Sequence, residues 1–191
     1  MSNEIAKASD AVNSGLVAGT KNTEVAKATG RFRMECYDKD GLLKWSAESQ
    51  NLVVNVGLQY MAGTALTSTT QITSWFIGLY GAGASNTPAA GDTMSSHAGW
   101  TEVTPYSGTR PAATFAAATN ANPSVVTNSA SPASFAINAT QTVGGAFLVS
   151  NSTAGGSTGT LFSAADFQSP GDRSVVSGDT LNVTYTFSLA G

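Results

Sequence analysis

Leu181, Val183, Tyr185, Phe187 and Leu189 alternate with Asn182, Thr184, Thr186 and Ser188. A period of two places five apolar side chains on one face and amides and hydroxyls on the other. That is the signature of an antiparallel strand buried on one side only. Ser177-Gly178-Asp179 supplies the turn before it. The same period runs through Arg31-Phe32-Arg33-Met34-Glu35-Cys36-Tyr37. Asp38-Lys39-Asp40-Gly41 then reverses the chain and Leu42-Leu43-Lys44-Trp45 returns, a β-hairpin with glycine where φ must be positive.

Elsewhere the signals are shorter. Residues 55–66 predict a helix, with Asn55 as N-cap and Gly63 near its end. Residues 75–80 read as a strongly apolar strand, and 81–99 as a Gly/Ser/Pro-rich loop long enough to be functional or interfacial. Further strands are expected at 101–106, 112–117, 133–139, 145–150 and 175–177. Short strands between turn signals spaced eight to twelve residues apart predict a mainly-β chain. The expected architecture is an antiparallel β-sandwich or jelly roll with one short helix and an extended N-terminal arm.

Charge divides the chain unevenly. Fourteen of its 21 Lys, Arg, Asp and Glu residues fall within the first 48 positions, leaving seven for the next 143. Ser, Thr, Asn, Ala and Gly stand where a free soluble surface normally carries ions. Such a surface either lies against other protein or stays soluble through hydroxyls and amides. A net charge of −3 gives no basic footprint, so nucleic acid is not an expected partner. No apolar run approaches the length of a membrane span. Cys36 is the only cysteine, so no internal disulfide forms. The first residues lack the basic and apolar regions of a secretory signal, so none is expected.

Residues 1–29 read as an arm apart from a body at 30–191. Glu4-Ile5-Ala6-Lys7-Ala8-Ser9 recurs as Glu24-Val25-Ala26-Lys27-Ala28-Thr29. The segment has no aromatic residue and buries too little apolar surface to fold alone. Ile5, Ala8, Val12 and Leu16 lie at helical spacing, which predicts a weak amphipathic helix once a partner covers that stripe. The candidate partner-binding residues are Ile5, Lys7, Val25 and Lys27 in two similar docking motifs, with Val12 and Leu16 on the helical stripe between them.

Candidates for chemistry are few. With one histidine, His97, and one thiol, most zinc sites are excluded, and no Gly-x-Ser-x-Gly elbow accompanies His97. His97 reads as a loop imidazole and Cys36 as a small core residue. Asp38-Lys39-Asp40-Gly41 lacks the closing Glu of a calcium loop. Gly81-Ala82-Gly83-Ala84 lacks the Lys-Ser/Thr of a phosphate loop. Glu102 with Asp92 or Asp166 has no spacing that marks a glycosidase pair. Trp75, Tyr80 and Trp100 serve a core more readily than a sugar platform. Neither catalysis nor a cofactor or metal is expected.

Several segments resemble a family of tailed-bacteriophage virion proteins: Trp75-Phe76-Ile77-Gly78-Leu79, Ala90-Gly91-Asp92-Thr93-Met94, Gly99-Trp100-Thr101-Glu102-Val103, and Tyr106 with Arg110-Pro111. The likeness continues through Phe135-Ala136-Ile137, Val143-Gly144-Gly145-Ala146-Phe147-Leu148 and Gly178-Asp179-Thr180-Leu181-Asn182-Val183-Thr184-Tyr185. It covers roughly residues 32–190 and carries no catalytic motif. The resemblance implies a head decoration (cement) protein, made in the bacterial host cytoplasm and placed on the capsid surface of the virion. Its implied partners are the major capsid protein and its own copies, as a trimer. A tail-associated or host-recognition protein binding a surface glycan is the alternative.

Overall fold

A computed structural model describes residues 26–81, 87–167 and 171–191, and shows two antiparallel sheets packed face to face with one helix at their side. Strand β1 (Lys27–Tyr37) and the alternating C-terminal strand β11 (Thr180–Ala190) pair along their whole length. Strand β2 (Leu43–Gln50) joins β1 through the expected hairpin. In its turn, Asp38 Oδ1 accepts the Asp40 and Leu42 amides, both at 2.9 Å, and Gly41 takes φ +80°. On the far side of β11, β6 (Ser124–Thr127) and β7 (Ala133–Ala136) share one edge. These five strands form the first sheet.

The second sheet runs in the order β3 (Leu52–Val53), β9 (Leu161–Asp166), β8 (Gln141–Val149), β4 (Phe76–Gly81) and β5 (Glu102–Val103). Strand β10 (Arg173–Val175) also pairs with β8. Phe32, Met34 and Cys36 of β1 and Leu181, Val183 and Tyr185 of β11 meet Ile77, Leu79, Ala146 and Leu148 between the sheets. Each large apolar side chain buried there contributes about 1.5–3 kcal/mol. The Tyr185 hydroxyl bridges the layers: Asn51 Nδ2 donates to it at 2.8 Å and Ser163 Oγ lies 3.2 Å away.

The two sheets differ in their outer faces. Among the described residues nothing covers the outer face of the first sheet, whereas the second is covered there too. Tyr80, Phe147, Val149, Leu161 and Ala164 on that face pack beneath Met94 and Trp100, with Val54 beside them. Register pairs Gly78 with Phe147, and Tyr80 with Gly145. In each pair the ring lies where a glycine Cβ would stand, so β4 and β8 each use a glycine to seat the other's aromatic. The Gly/Ser/Pro-rich segment expected as a loop at 81–99 is irregular chain over its described part, and with Trp100 just after it plugs the second sheet through Met94.

The sandwich and the single helix are as the sequence predicts; the details depart from it in several places, among them the strand expected at 175–177, which lies earlier as β10, and that expected at 101–106, which shortens to β5. β1 begins at Lys27, opposite Ala190, so three residues assigned to the arm belong to the body. Helix α1 (Asn55–Leu66) has Val54 as its N-cap, without a side-chain cap bond. The Asn55 amide instead donates to the Ala90 carbonyl at 2.8 Å. Residues 112–117 form no strand, because they cross between the sheets. Ala113 N bonds Trp75 O of the second sheet's margin, and Ala116 N bonds Thr127 O of the first. Strands β3, β6 and β9 lie where no strand is expected from sequence.

Candidate functional site

The open outer face of the first sheet is the principal surface on which the described residues offer a partner a built arrangement of groups. Because Phe32, Met34 and Cys36 point inward, Arg31, Arg33, Glu35 and Tyr37 point outward. Register sets Arg31 beside Thr186 and Gln50, and Arg33 beside Thr184 and Glu48. Thr127 continues the row beyond Thr186, their hydroxyls 3.1 Å apart. Arg31 Nη1 reaches Glu48 Oε1 at 3.0 Å and Arg33 Nη2 reaches Glu35 Oε1 at 2.6 Å. A shallow groove of about 460 Å³ runs between these pairs and Thr127, Ser129 and Pro132.

Exposed ion pairs of this kind each contribute at most about 1 kcal/mol to stability. Their more important effect is to fix direction. Two cations and two anions are held among threonine hydroxyls, and the face is polar with its charges balanced. Such a surface hydrogen-bonds in many geometries at small desolvation cost. The groove contains neither a thiol nor an imidazole.

The polar residues singled out by the sequence lie elsewhere and are tied into the framework. Glu102 is ion-paired with Arg110, whose Nε and Nη2 donate to its two oxygens at 2.8 and 2.6 Å. Arg110 also donates to the carbonyls of Asn151 at 2.8 Å and Gly156 at 2.9 Å, and lies over the Phe147 ring. Asp92 accepts the Trp100 indole N–H at 2.8 Å and the Ala89 amide at 2.9 Å. Glu102, Tyr80, Gly145 and Asp166 form one lateral row across four strands. Three strand spacings separate the outer two by roughly 14 Å, too far for a glycosidase pair. Burial and the Asp172 charge raise the Asp166 pKa.

His97 stacks on Trp100 with ring centres 3.8 Å apart, and its Nδ1 lies 2.9 Å from the Trp100 carbonyl oxygen. Trp100 is 2% exposed and Tyr80 wholly buried, while Trp75 packs apart from them between Tyr60 and Phe162. The three aromatics therefore form no common platform. Cys36 is buried as expected. Burial, then the neighbouring Asp179, pushes its thiol up to about 12. Burial also pushes the Asp179 carboxyl upward, but the hydrogen bond from Lys44 Nζ at 2.6 Å, with those from Val176 N and Cys36, outweighs it and lowers the pKa. Among the described residues no three His, Cys, Asp or Glu side chains gather as metal ligands.

Of the candidate partner-binding residues, Lys27 opens β1 and is exposed. Ile5, Lys7, Val12, Leu16 and Val25 lie outside the described residues. The outer face itself was legible as alternation in β11 and in β1, which also places Arg33 and Glu35 on one face; the Arg31–Glu48 pair depends on cross-strand register that local sequence does not encode. No helix among the described residues is long and apolar enough to cross a membrane. No family model, curated protein or solved structure matches this chain.

Proposed function

We propose that this protein is a non-enzymatic structural component of a phage virion that decorates the capsid and stabilises it by binding the shell and its own copies, as a trimer. The observation that carries the reading is the outer face of the first sheet: uncovered among the described residues, grooved, hydroxyl-rich and charge-balanced, while the second sheet is covered on both sides. A face of that kind suits contacts that are individually weak and repeated many times on a symmetric shell. The motif resemblance over roughly residues 32–190 supports the same reading. So does an arm that, extended, reaches on the order of 80 Å. The burial of Trp100 and Tyr80 weakens the alternative of glycan recognition by an aromatic platform.

The test is binding of purified protein to undecorated heads, comparing the full chain with a truncation of residues 1–25 that leaves β1 whole. The truncated body is expected to remain folded and to bind at least about tenfold more weakly, as loss of a linked second contact requires. Equal binding by the two forms would remove the arm from the reading. Localisation of the full chain on tails rather than heads of labelled virions would replace decoration with the tail-associated role.

A further inference from the structure

We propose that copies of this chain meet through helix α1, with Leu66 of one copy seated in the groove beside α1 of the next. The inference rests on the reading that the protein binds its own copies, and it names the surface they use.

α1 carries no charged residue, and none occurs anywhere between Glu48 and Asp92. A helix at a free surface turns a charged or polar face to water, and one without such a face belongs in a buried setting. Yet Gly57 is the only buried residue of α1. Its missing side chain lets the helix sit against the Phe162 carbonyl, and Tyr60 and Met61 reach the core from the same side. The opposite side forms a ridge of Leu58, Ala62 and Leu66, each four residues apart and so stacked along one face. Leu58 is 43% exposed and Leu66 86%.

Beside the helix runs a groove of about 380 Å³, lined by Val56, Gln59, Tyr60, Thr69, Gly159 and Thr160, all uncharged. Its walls are held in place. The Tyr60 hydroxyl accepts the Ile72 amide at 2.8 Å, and Thr69 packs on α1 where a Gly63 side chain would stand. An uncharged recess of this size takes an aliphatic side chain, and Leu66 is the most exposed large apolar residue among those described.

Position and area select a second copy as the occupant. α1 takes over the β9 edge where β3 ends, with the Val54 amide donating to the Phe162 carbonyl at 3.2 Å. The helix therefore stands in the layer of the second sheet, about 10 Å above the first. A shell lying under the first sheet's outer face is out of its reach, whereas a neighbouring copy on that shell is level with it. At 3.6 residues per turn, Leu66 lies within about a quarter turn of Val56 and Gln59 around the helix. Knob and groove on one side of the molecule close a small ring rather than open a filament. A helix face of this length buries on the order of 300 Å² per copy, less than half of the roughly 800 Å² that each partner of a stable complex contributes. Copies therefore associate weakly when free and firmly when a shell holds them side by side.

Sedimentation of the full chain without heads tests this. The wild type is expected to be monomeric at about 10 μM and to self-associate toward about 1 mM. Leu66→Glu, a change at an exposed position that leaves the melting temperature unaltered, is expected to associate at least about tenfold more weakly. A wild type still monomeric at about 1 mM, or a Leu66→Glu protein that associates equally, would overturn the proposal. As an independent measurement, Gln59→Cys and Leu66→Cys proteins are mixed and mildly oxidised. Disulfides joining one variant to the other are expected; disulfides confined to pairs of Leu66→Cys chains would set ridge against ridge and refute the seating. Head binding is read separately. If Leu66→Glu loses head binding while self-association is intact, α1 belongs to the shell and the proposal fails. Self-association through α1 in a protein that binds no heads would leave this contact standing and remove the capsid reading.

Discussion

Arg110 shows how one side chain can organise a region without taking part in any chemistry. Its guanidinium is wholly buried and places four hydrogen bonds on a carboxylate and two loop carbonyls. Glu102 also accepts the Gly155 amide at 2.9 Å, so the pair fastens the 150–156 turn to β5. Removing one member leaves an uncompensated buried charge, which typically costs about 3–5 kcal/mol. Arg110→Met is therefore expected to lower the unfolding free energy by about that amount. The double variant Arg110→Met/Glu102→Leu should recover part of it, and denaturant titration of the three proteins would measure the difference. Nothing in the sequence marks Arg110 as buried. A lone arginine before proline in a Ser/Thr-rich stretch looks exposed, and only the fold supplies its partner.

At the scale of elements, the edge shared by β6 and β7 contains a gap. β6 pairs with β11 as far as Thr186, and β7 resumes at Val183. Asn128 fills the interval with its side chain: Oδ1 accepts the Tyr185 amide at 2.6 Å and Nδ2 donates to the Val183 carbonyl at 3.2 Å. The carboxamide substitutes for a missing peptide group. Asn128→Ala removes both bonds, leaves the buried Tyr185 N–H without that acceptor and is expected to destabilise by about 1–3 kcal/mol, whereas Asn128→Asp keeps the acceptor for Tyr185 and loses only the donor to the Val183 carbonyl. Thermal unfolding compared with wild type would show it.

The same scale explains which strands the sequence reveals. β11 declares itself because one face is polar. β9, Leu161-Phe162-Ser163-Ala164-Ala165-Asp166, is buried on both faces and has no alternation to detect. Residues 112–117 mislead for the opposite reason: alanine and threonine suit an extended chain, but the hydrogen bonds divide between two sheets. The hairpin turn was fully readable because Asp38 and Gly41 act through neighbours in sequence.

At the scale of the molecule, the face proposed to bind a partner is separate from the contacts that hold the fold together. Arg31 and Arg33 stand on the open face with more than half of each side chain exposed. Arg31→Glu/Arg33→Glu is expected to change stability by no more than about 0.5 kcal/mol per site, yet to abolish binding to heads by placing four acidic groups together. Loss of binding with an unchanged unfolding midpoint is the expected pair of results; intact binding would move the contact to another surface.

The plug over the second sheet adds a consequence of handling rather than of stability. With one sheet face capped by Trp100 and Met94 and the other bare among the described residues, the sandwich has a front and a back. Held against a flat support by its front, it can sit in only one pose, with residues 87–100 turned outward. Cargo grafted on that side would be displayed, whereas cargo grafted among the threonines of β11 would be pressed against the support.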